Sequence, residues 1–208
     1  MILTERTHGQ DEVRNKEVMQ ALAVAGIPVL LIIAQPDMGT ILIISAIVLT
    51  IIATSGAQAR WVVALLLVAL LGGFVAAKAG VVSEYQLKRL QSFVDPTADT
   101  QGAGYQLRQA RITVGSGGLW GTGLFQGAQT NGRFVPEQQT DFIFTVAGEE
   151  SGFLGSSFIV LMLLTIMMRG FSIARRTTDP FGRLVAVGVV AWFAFQTFEN
   201  IGMTLGLM

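Results

Sequence analysis

Three carboxylates fall within one ten-residue stretch, Asp141-Phe-Ile-Phe-Thr-Val-Ala-Gly-Glu149-Glu150. An aspartate that opens an apolar run reads as a helix N-cap, accepting backbone N–H groups and favouring the helix dipole. A carboxylate at the mouth of a membrane helix is also well placed to meet a lipid-borne substrate, and the two roles are compatible. At about 1.5 Å per residue, Glu149 stands about 12 Å further along the helix. At about 100° per residue, Asp141, Thr145, Gly148, Gly152 and Gly155 share a face. Glu149 falls close to that face and Glu150 on the opposite side. Carboxylates inside a membrane are costly and face a cavity or a cationic partner. Glu149 therefore reads first as a functional acid and second as a structural pair, and Glu150 the other way round. Near the end of the chain Gln196, Glu199 and Asn200 form a polar stripe, whose amides read as helix–helix hydrogen bonds; Glu199 has no partner that spacing can name. Asp37, beside Pro36, reads as the end of a turn and a weaker site candidate.

The composition narrows the chemistry. Without cysteine there is no thiol nucleophile, disulfide, iron–sulfur cluster or Cys-based zinc site in these 208 residues. The one histidine, His8, lies in a polar stretch, which removes His-based triads and multi-His metal sites. Acid–base work falls to the 14 carboxylates, to Lys or Tyr, or to the substrate. A net charge of zero carries no nucleic-acid signature. Residues 1–17 lack an apolar core segment, so no cleavable signal peptide is expected.

The elements that must position these acids are membrane helices. Charged residues make up 13% of the chain, against roughly 25% in soluble domains, and mean hydropathy is +0.58. No Asp, Glu, Lys or Arg occurs in 18–36, 38–59, 61–77, 151–168 or 184–198. Four of these windows run to 17–22 residues, near the ~20 a bilayer core requires. The expected fold is therefore an all-α polytopic membrane protein with about five transmembrane helices and one long structured extracytoplasmic loop. Its segments are a cytoplasmic 1–17, three spans within 18–77, an external loop 78–141, a span 142–168, a cytoplasmic loop 169–183 and a last span 184–208. Pro28 is expected to kink the first span, and Trp61 to sit at an interface. Arg6, Arg14 and Lys16, then Arg60, then Arg169, Arg175, Arg176 and Arg183 fall on one side of an alternating five-span chain. By the positive-inside rule that side is cytoplasmic.

The loop 78–141 is not linker. It holds Tyr85–Phe93, a stop at Asp95-Pro96, and Gly104–Ile112, which reads as a short amphipathic interfacial helix. Lys88, Arg89, Arg108, Arg111 and Arg133 are external cations able to meet phosphate or lipid head groups; simple solvation is the equal alternative for each. The run Gly115-Ser-Gly-Gly-Leu-Trp-Gly-Thr-Gly123 is not a P-loop, because Leu124-Phe125 stand where Lys-Ser/Thr is required. Nor does it complete G-x-G-x-x-G, since Trp120 and Gln126 occupy the third positions. Close backbone packing near a membrane surface is its expected use.

Taken in order, these strings resemble the RodA/FtsW family, the shape, elongation, division and sporulation proteins of bacteria. They are Ala34–Thr40, Arg89–Pro96, Gly104–Ala110, Gly115–Leu124, Phe134-Val-Pro-Glu137, Thr140–Glu150 and Phe198–Met203. The details look nearer to RodA than to FtsW. Two local departures are Gln139, where the family usually has His, and Thr122, where it often has Lys. The resemblance implies a peptidoglycan glycosyltransferase in the bacterial cytoplasmic membrane that polymerises lipid II. An acceptor 4-hydroxyl attacks the donor anomeric carbon with inversion, and undecaprenyl pyrophosphate leaves. It implies Asp141 as the essential acid. Lys88, Arg89, Gln106, Gln109, Glu137, Thr140 and Glu149 are expected to line the substrate, with Asp37, Glu150, Gln196, Glu199 and Asn200 as structural polar positions. It further implies a divalent cation, Mg²⁺ or Mn²⁺, and a class B penicillin-binding protein (a transpeptidase) as partner. Family members have ten spans, so this chain is expected to be a piece covering the fifth to ninth and inactive by itself.

Two other functions compete. A lipid II flippase or other transporter would also use Glu149 and Glu199, and an inverted repeat would favour it; none is visible in the five spans. A non-catalytic membrane scaffold for a transpeptidase is the third.

Overall fold

The computed structural model describes residues 2–4, 13–35, 37–78 and 102–207, and all regular structure among them is helical. After a short 3-10 turn at Ile2–Thr4 come α1 (Asn15–Ile33), α2 (Met38–Thr54) and α3 (Ala59–Lys78). Then follow α4 (Ala103–Ser116), a single turn α5 (Ala128–Asn131), α6 (Ile143–Arg176) and α7 (Pro180–Leu205). Three of these, α1, α6 and α7, are long and apolar enough to cross a membrane, and α2 and α3 carry the shorter apolar stretches Gly39–Thr54 and Ala59–Val75. At 17 residues, α2 stands at the short end of the range for a span. The all-helical membrane architecture expected from the charge-free windows is what the chain forms.

The chain divides into two compact units, one of Met1–Val75 with Ile166–Gln196, the other of Ala76–Thr165 with Thr197–Met208. In the first, Val13, Val18 and Ile52 form a small core with Leu22, Val48, Val62 and Leu65 around it. Asn15 ties the start of α1 to the start of α3: its Oδ1 accepts from Arg60 Nη2 and Trp61 Nε1, both at 2.9 Å. Trp61, expected at a membrane interface, joins the two helices through this bond. Pro28 lies inside α1 as expected.

Several ends differ from expectation, each for a local reason. The helix expected over 142–168 runs on to Arg176, leaving only 177–179 as the connection to α7. Arg175 and Arg176 occupy its last turn, where cations suit the dipole. The next helix starts at Pro180, not at 184, because Asp179 caps it: its carboxylate accepts from Phe181 N at 3.3 Å and Gly182 N at 2.6 Å, with proline at the favoured first position. It ends at Leu205, not 208. Gly206, at φ 72°, closes a Schellman motif, with Gly206 N–H donating to Met203 O at 3.1 Å and Leu207 N–H to Gly202 O at 2.7 Å.

The second unit is built around a break in α6. Gly152 has φ 65° and ψ −166° inside an otherwise helical run, a backbone that leaves helical N–H and C=O groups without partners. The glycine-rich loop supplies them. Phe153 N donates to Gly118 O at 2.9 Å and Leu154 N to Leu119 O at 3.2 Å, while Thr122 N donates to Glu149 O at 2.9 Å and Gly123 N to Glu150 O at 3.1 Å. Gly121 and Gly152 meet backbone to backbone, so a Cβ on either would collide with the other segment. Irregular backbone is tolerated beside a membrane when protein satisfies it in this way. The expected use of the glycine run, close backbone packing, is the one observed.

Candidate active site

Helix α4 lies beside this break with one face inward: Gly104, Leu107, Ala110, Thr113 and Gly117 are buried, at the three-to-four-residue spacing of an amphipathic helix. Ala110, Val135 and Phe142 pack together as a core, with Met203 of α7 against them. Arg111, one residue on, turns to the end of α7 and donates to Leu205 O at 3.3 Å and Gly206 O at 3.0 Å. It therefore neutralises a helix C-terminus. Its reading as a free cation for phosphate is corrected: the carbonyls at the end of α7 hold the guanidinium. The signal that could have revealed this is Gly206, a C-terminal cap in the sequence.

Asp141 sits on top of that core. Phe142 plugs it, while Asp141 is exposed. Its backbone is held from two directions. Glu137, at φ 52°, turns the chain so that its carbonyl accepts from Thr140 N at 3.2 Å, Asp141 N at 3.1 Å and Phe142 N at 3.3 Å. Asn200 on α7 donates its Nδ2 to Thr140 O at 3.2 Å. The expected N-cap role of Asp141 is not observed: α6 begins at Ile143, and no described N–H donates to the Asp141 carboxylate. The Glu137 carbonyl takes up the Thr140, Asp141 and Phe142 N–H groups, and the helix starts only after that turn. The Asp141 oxygens are left open.

Glu149 has the opposite environment. At 1% exposed, its carboxylate accepts from Gln129 N at 2.8 Å, Thr130 N at 2.7 Å and Thr130 Oγ1 at 2.6 Å. It is the N-terminal cap of α5, supplied from another helix. Of its two sequence readings, structural pairing is the one the hydrogen bonds support. The partner is two backbone N–H groups and a hydroxyl, not a cation. Glu150 is 9% exposed, and its carboxylate accepts from no described donor.

The other candidates are distributed around these two acids. Glu137 and Thr140 are exposed and share the turn, with Thr140 Oγ1 donating to Glu137 O at 3.3 Å. Gln106 and Gln109 are half-buried on α4. Lys88, Arg89 and the segments Tyr85–Phe93 and Asp95-Pro96 lie outside the described residues. Asn200, expected to bond helix to helix, bonds instead to the turn ahead of α6. Gln196, of which the same was expected, is exposed on α7 and bonds to no described residue. Glu199 is half-buried. Asp37 belongs to the other unit, where it caps α2 by accepting from Thr40 N at 3.1 Å and Thr40 Oγ1 at 2.6 Å. These bonds, the hydroxyl's first, hold its carboxyl below the ordinary carboxylate value. Among the described residues no three His, Asp or Glu side chains come together as a metal cluster.

The fold and site together define a multi-pass helical membrane protein that offers one open carboxylate at the head of an apolar helix. The chain belongs to the FtsW/RodA/SpoVE family of cell cycle proteins, whose profile it matches over residues 2–208. It is 38% identical over 190 residues to the peptidoglycan glycosyltransferase MrdB of Escherichia coli K12, covering 90% of this chain and 50% of that one. It is equally, 38%, identical over 188 residues to the stage V sporulation protein E of Bacillus subtilis, again 90% of this chain and 50% of the relative. A probable peptidoglycan glycosyltransferase FtsW of Methylomonas methanica is 35% identical over 208 residues, 97% of this chain and 52% of the relative. The chain thus spans about half the length of these curated relatives. A solved structure described as the coordination of polymerization and crosslinking by a peptidoglycan synthase complex superposes with a TM-score of 0.76 at 25% identity, covering 99% of this chain and 56% of that one.

Proposed function

We propose that the protein is a peptidoglycan glycosyltransferase that polymerises lipid II, with Asp141 as its essential acid. The observation that carries the reading is the open Asp141 carboxylate on a backbone fixed by Glu137 and Asn200. A general base must be positioned before it can act, and its lone pairs must be uncommitted. The names of the relatives, peptidoglycan glycosyltransferases among them, support the reaction class. In the reaction, the acceptor 4-hydroxyl forms a bond to the donor anomeric carbon as the bond to undecaprenyl pyrophosphate breaks, and the hydroxyl proton passes to Asp141. Glu137 and Thr140, exposed on the same turn, are placed to contact the sugars.

Mg²⁺ binds through one or two carboxylates together with substrate phosphates; the alternative role for the Asp141 carboxylate, in place of taking the proton, would be to hold the implied Mg²⁺ or Mn²⁺. The ion would neutralise charge on the departing pyrophosphate. The solved complex supports a synthase partner; we take it to be a class B penicillin-binding protein with transpeptidase activity. The positive-inside rule supports an orientation with the N-terminus and Arg175–Arg183 in the cytoplasm and Asp141 outside.

The test is Asp141→Asn in the full-length protein with its transpeptidase, using labelled lipid II in detergent. We expect normal accumulation and co-purification, because the carboxylate holds no described group, and glycan synthesis down by at least about 10². Near-parental synthesis would remove Asp141 from the mechanism. A parent that makes no glycan but moves lipid II across vesicles would favour the transporter.

A further inference from the structure

The loop that repairs the α6 break also turns four large apolar side chains outward. Leu119, Trp120, Leu124 and Phe125 are 63%, 81%, 72% and 84% exposed, while the glycines between them are engaged with α6. Their direction is fixed by backbone geometry. Gly118, Gly121 and Gly123 have positive φ, as does Phe125 at 62°, and Asn131 Nδ2 holds the Phe125 carbonyl at 3.1 Å. A residue in that conformation is uncommon outside glycine, so Phe125 is kept outward by its surroundings.

The patch is continuous with the exposed apolar surface of α6. The bonds from Phe153 N to Gly118 O and from Leu154 N to Leu119 O set Leu119-Trp120 directly beside Phe153-Leu154. From there Phe153, Leu154, Phe158 and Leu161 continue as exposed apolar residues along α6, one of the helices long and apolar enough to cross a membrane. The charge-free window of this helix begins at Ser151, directly after Glu149 and Glu150. The loop is therefore level with one end of the apolar window, where a bilayer passes from hydrocarbon to head groups. Tryptophan with flanking leucine and phenylalanine is the side-chain chemistry of that boundary.

We propose that residues 119–125 are a re-entrant membrane contact, with Leu119, Trp120, Leu124 and Phe125 inserted into the bilayer leaflet at the Glu149 end of α6. The contact is joined by backbone bonds to the half-helix that follows Asp141, so bilayer depth and the depth of Asp141 are set together. Interfacial segments of this kind enter by about 5–10 Å. The inference does not depend on what Asp141 does.

These 208 residues contain no cysteine, so nitroxide labels can be placed singly at Trp120→Cys and Phe125→Cys in the full-length protein, with any cysteine outside them replaced by serine. Both side chains are exposed, and neither substitution removes a packed contact. In phosphatidylethanolamine/phosphatidylglycerol nanodiscs, collision with oxygen should exceed collision with the aqueous nickel chelate NiEDDA at both positions. A brominated-lipid series should quench Trp120 most strongly for bromines near the top of the acyl chain. Predominant NiEDDA collision at both labels overturns the proposal. So does shielding that appears only after the transpeptidase is added, which would make the patch a protein-docking face. Lipid II polymerisation enters neither readout, so failure here leaves the glycosyltransferase reading untouched.

Discussion

Replacing Glu149 with glutamine should free the α5 segment while leaving the rest of the second unit folded. The carboxylate oxygens divide three donors: Oε1 takes Gln129 N–H, and Oε2 takes Thr130 N–H and its hydroxyl. Glutamine keeps the volume but offers one carbonyl and one NH₂. Whichever way the amide is turned, one backbone N–H then faces another donor; the Thr130 hydroxyl can rotate and accept, but the N–H cannot. A hydrogen bond to a charged group contributes about 1.5–3 kcal/mol, and an orphaned buried donor costs about 1–3 kcal/mol. With the two partly the same loss, about 2–3 kcal/mol is expected for the segment. That is about a 30- to 150-fold rise in its opening constant.

Hydrogen exchange read by mass spectrometry on peptides covering 124–134, in detergent or nanodiscs, measures this opening directly. Exchange at Gln129 and Thr130 should accelerate by that factor in Glu149→Gln. Thr130→Val removes only the hydroxyl donor and should change it by about tenfold, the equivalent of about 1.5 kcal/mol, the low end for a bond to a charged group. Peptides from α7 should be unaffected in both. If Glu149→Gln alters exchange by less than about threefold, the carboxylate does not hold α5 and the structural reading of Glu149 is wrong. Uniform acceleration across the protein would be equally damaging, because the argument is for a local clasp.

Three further outcomes follow from the geometry. Gly118→Ala carries only the cost of a non-glycine residue at φ 55°, since nothing lies within 4 Å of the new Cβ, about 1–2 kcal/mol; Gly121→Ala adds a collision with the Glu150 backbone and should abolish stable accumulation, as membrane fractionation would show. Asp37 has a folded pKa below the ordinary 3.8, so its contribution is complete above about that value and fades as pH falls through the lower folded one. Asp37→Asn should remove this acid sensitivity but keep the cap, while Asp37→Ala should cost about 0.5–2 kcal/mol at neutral pH, both read by thermal unfolding. Single cysteines at Gln139 and Thr178 should differ in spheroplasts, only Gln139→Cys reacting with an impermeant maleimide; the reverse pattern would invert the proposed orientation.

The helices were legible because a bilayer writes them as absence of charge over about 20 residues, a signal that needs no tertiary information. Their ends were legible only where a residue acts on its own neighbours. Asp37 is such a case, and the ends at Asp179 and Gly206 carry signals of the same kind. The break at Gly152 was not legible. A glycine in a helical pattern is ordinarily tolerated at a cost of about 1 kcal/mol, and what makes this one bend is a loop some 30 residues earlier that exchanges four backbone bonds with it. The same distance hid the partner of Glu149, a helix of four residues too short to leave a periodic pattern. The Asn200 amide, assigned to a helix–helix bond, meets the turn ahead of α6 instead, and Gln196, four residues before it, meets no described residue; polarity alone does not say what an amide on α7 will face.

Asp141 and Glu149 show how the site differs from its sequence pattern. Capping was the role spacing assigned to Asp141, and catalysis the role burial suggested for Glu149. In the folded chain the capping is done by Glu149, for α5, and Asp141 lies in the Glu137 turn ahead of α6. A carboxylate that accepts three internal hydrogen bonds has no lone pair directed at a substrate proton, and at 1% exposure no path to one without opening α5. A carboxylate just ahead of the same helix, with its backbone pinned and its oxygens open, meets both requirements of a base. Pinning depends on groups remote in sequence, Asn200 on α7 and the core of Ala110, Val135, Phe142 and Met203 beneath. That core explains why the recurring strings Gly104–Ala110, Phe134–Glu137, Thr140–Glu150 and Phe198–Met203 occur together: each supplies one wall of the seat on which Asp141 is held.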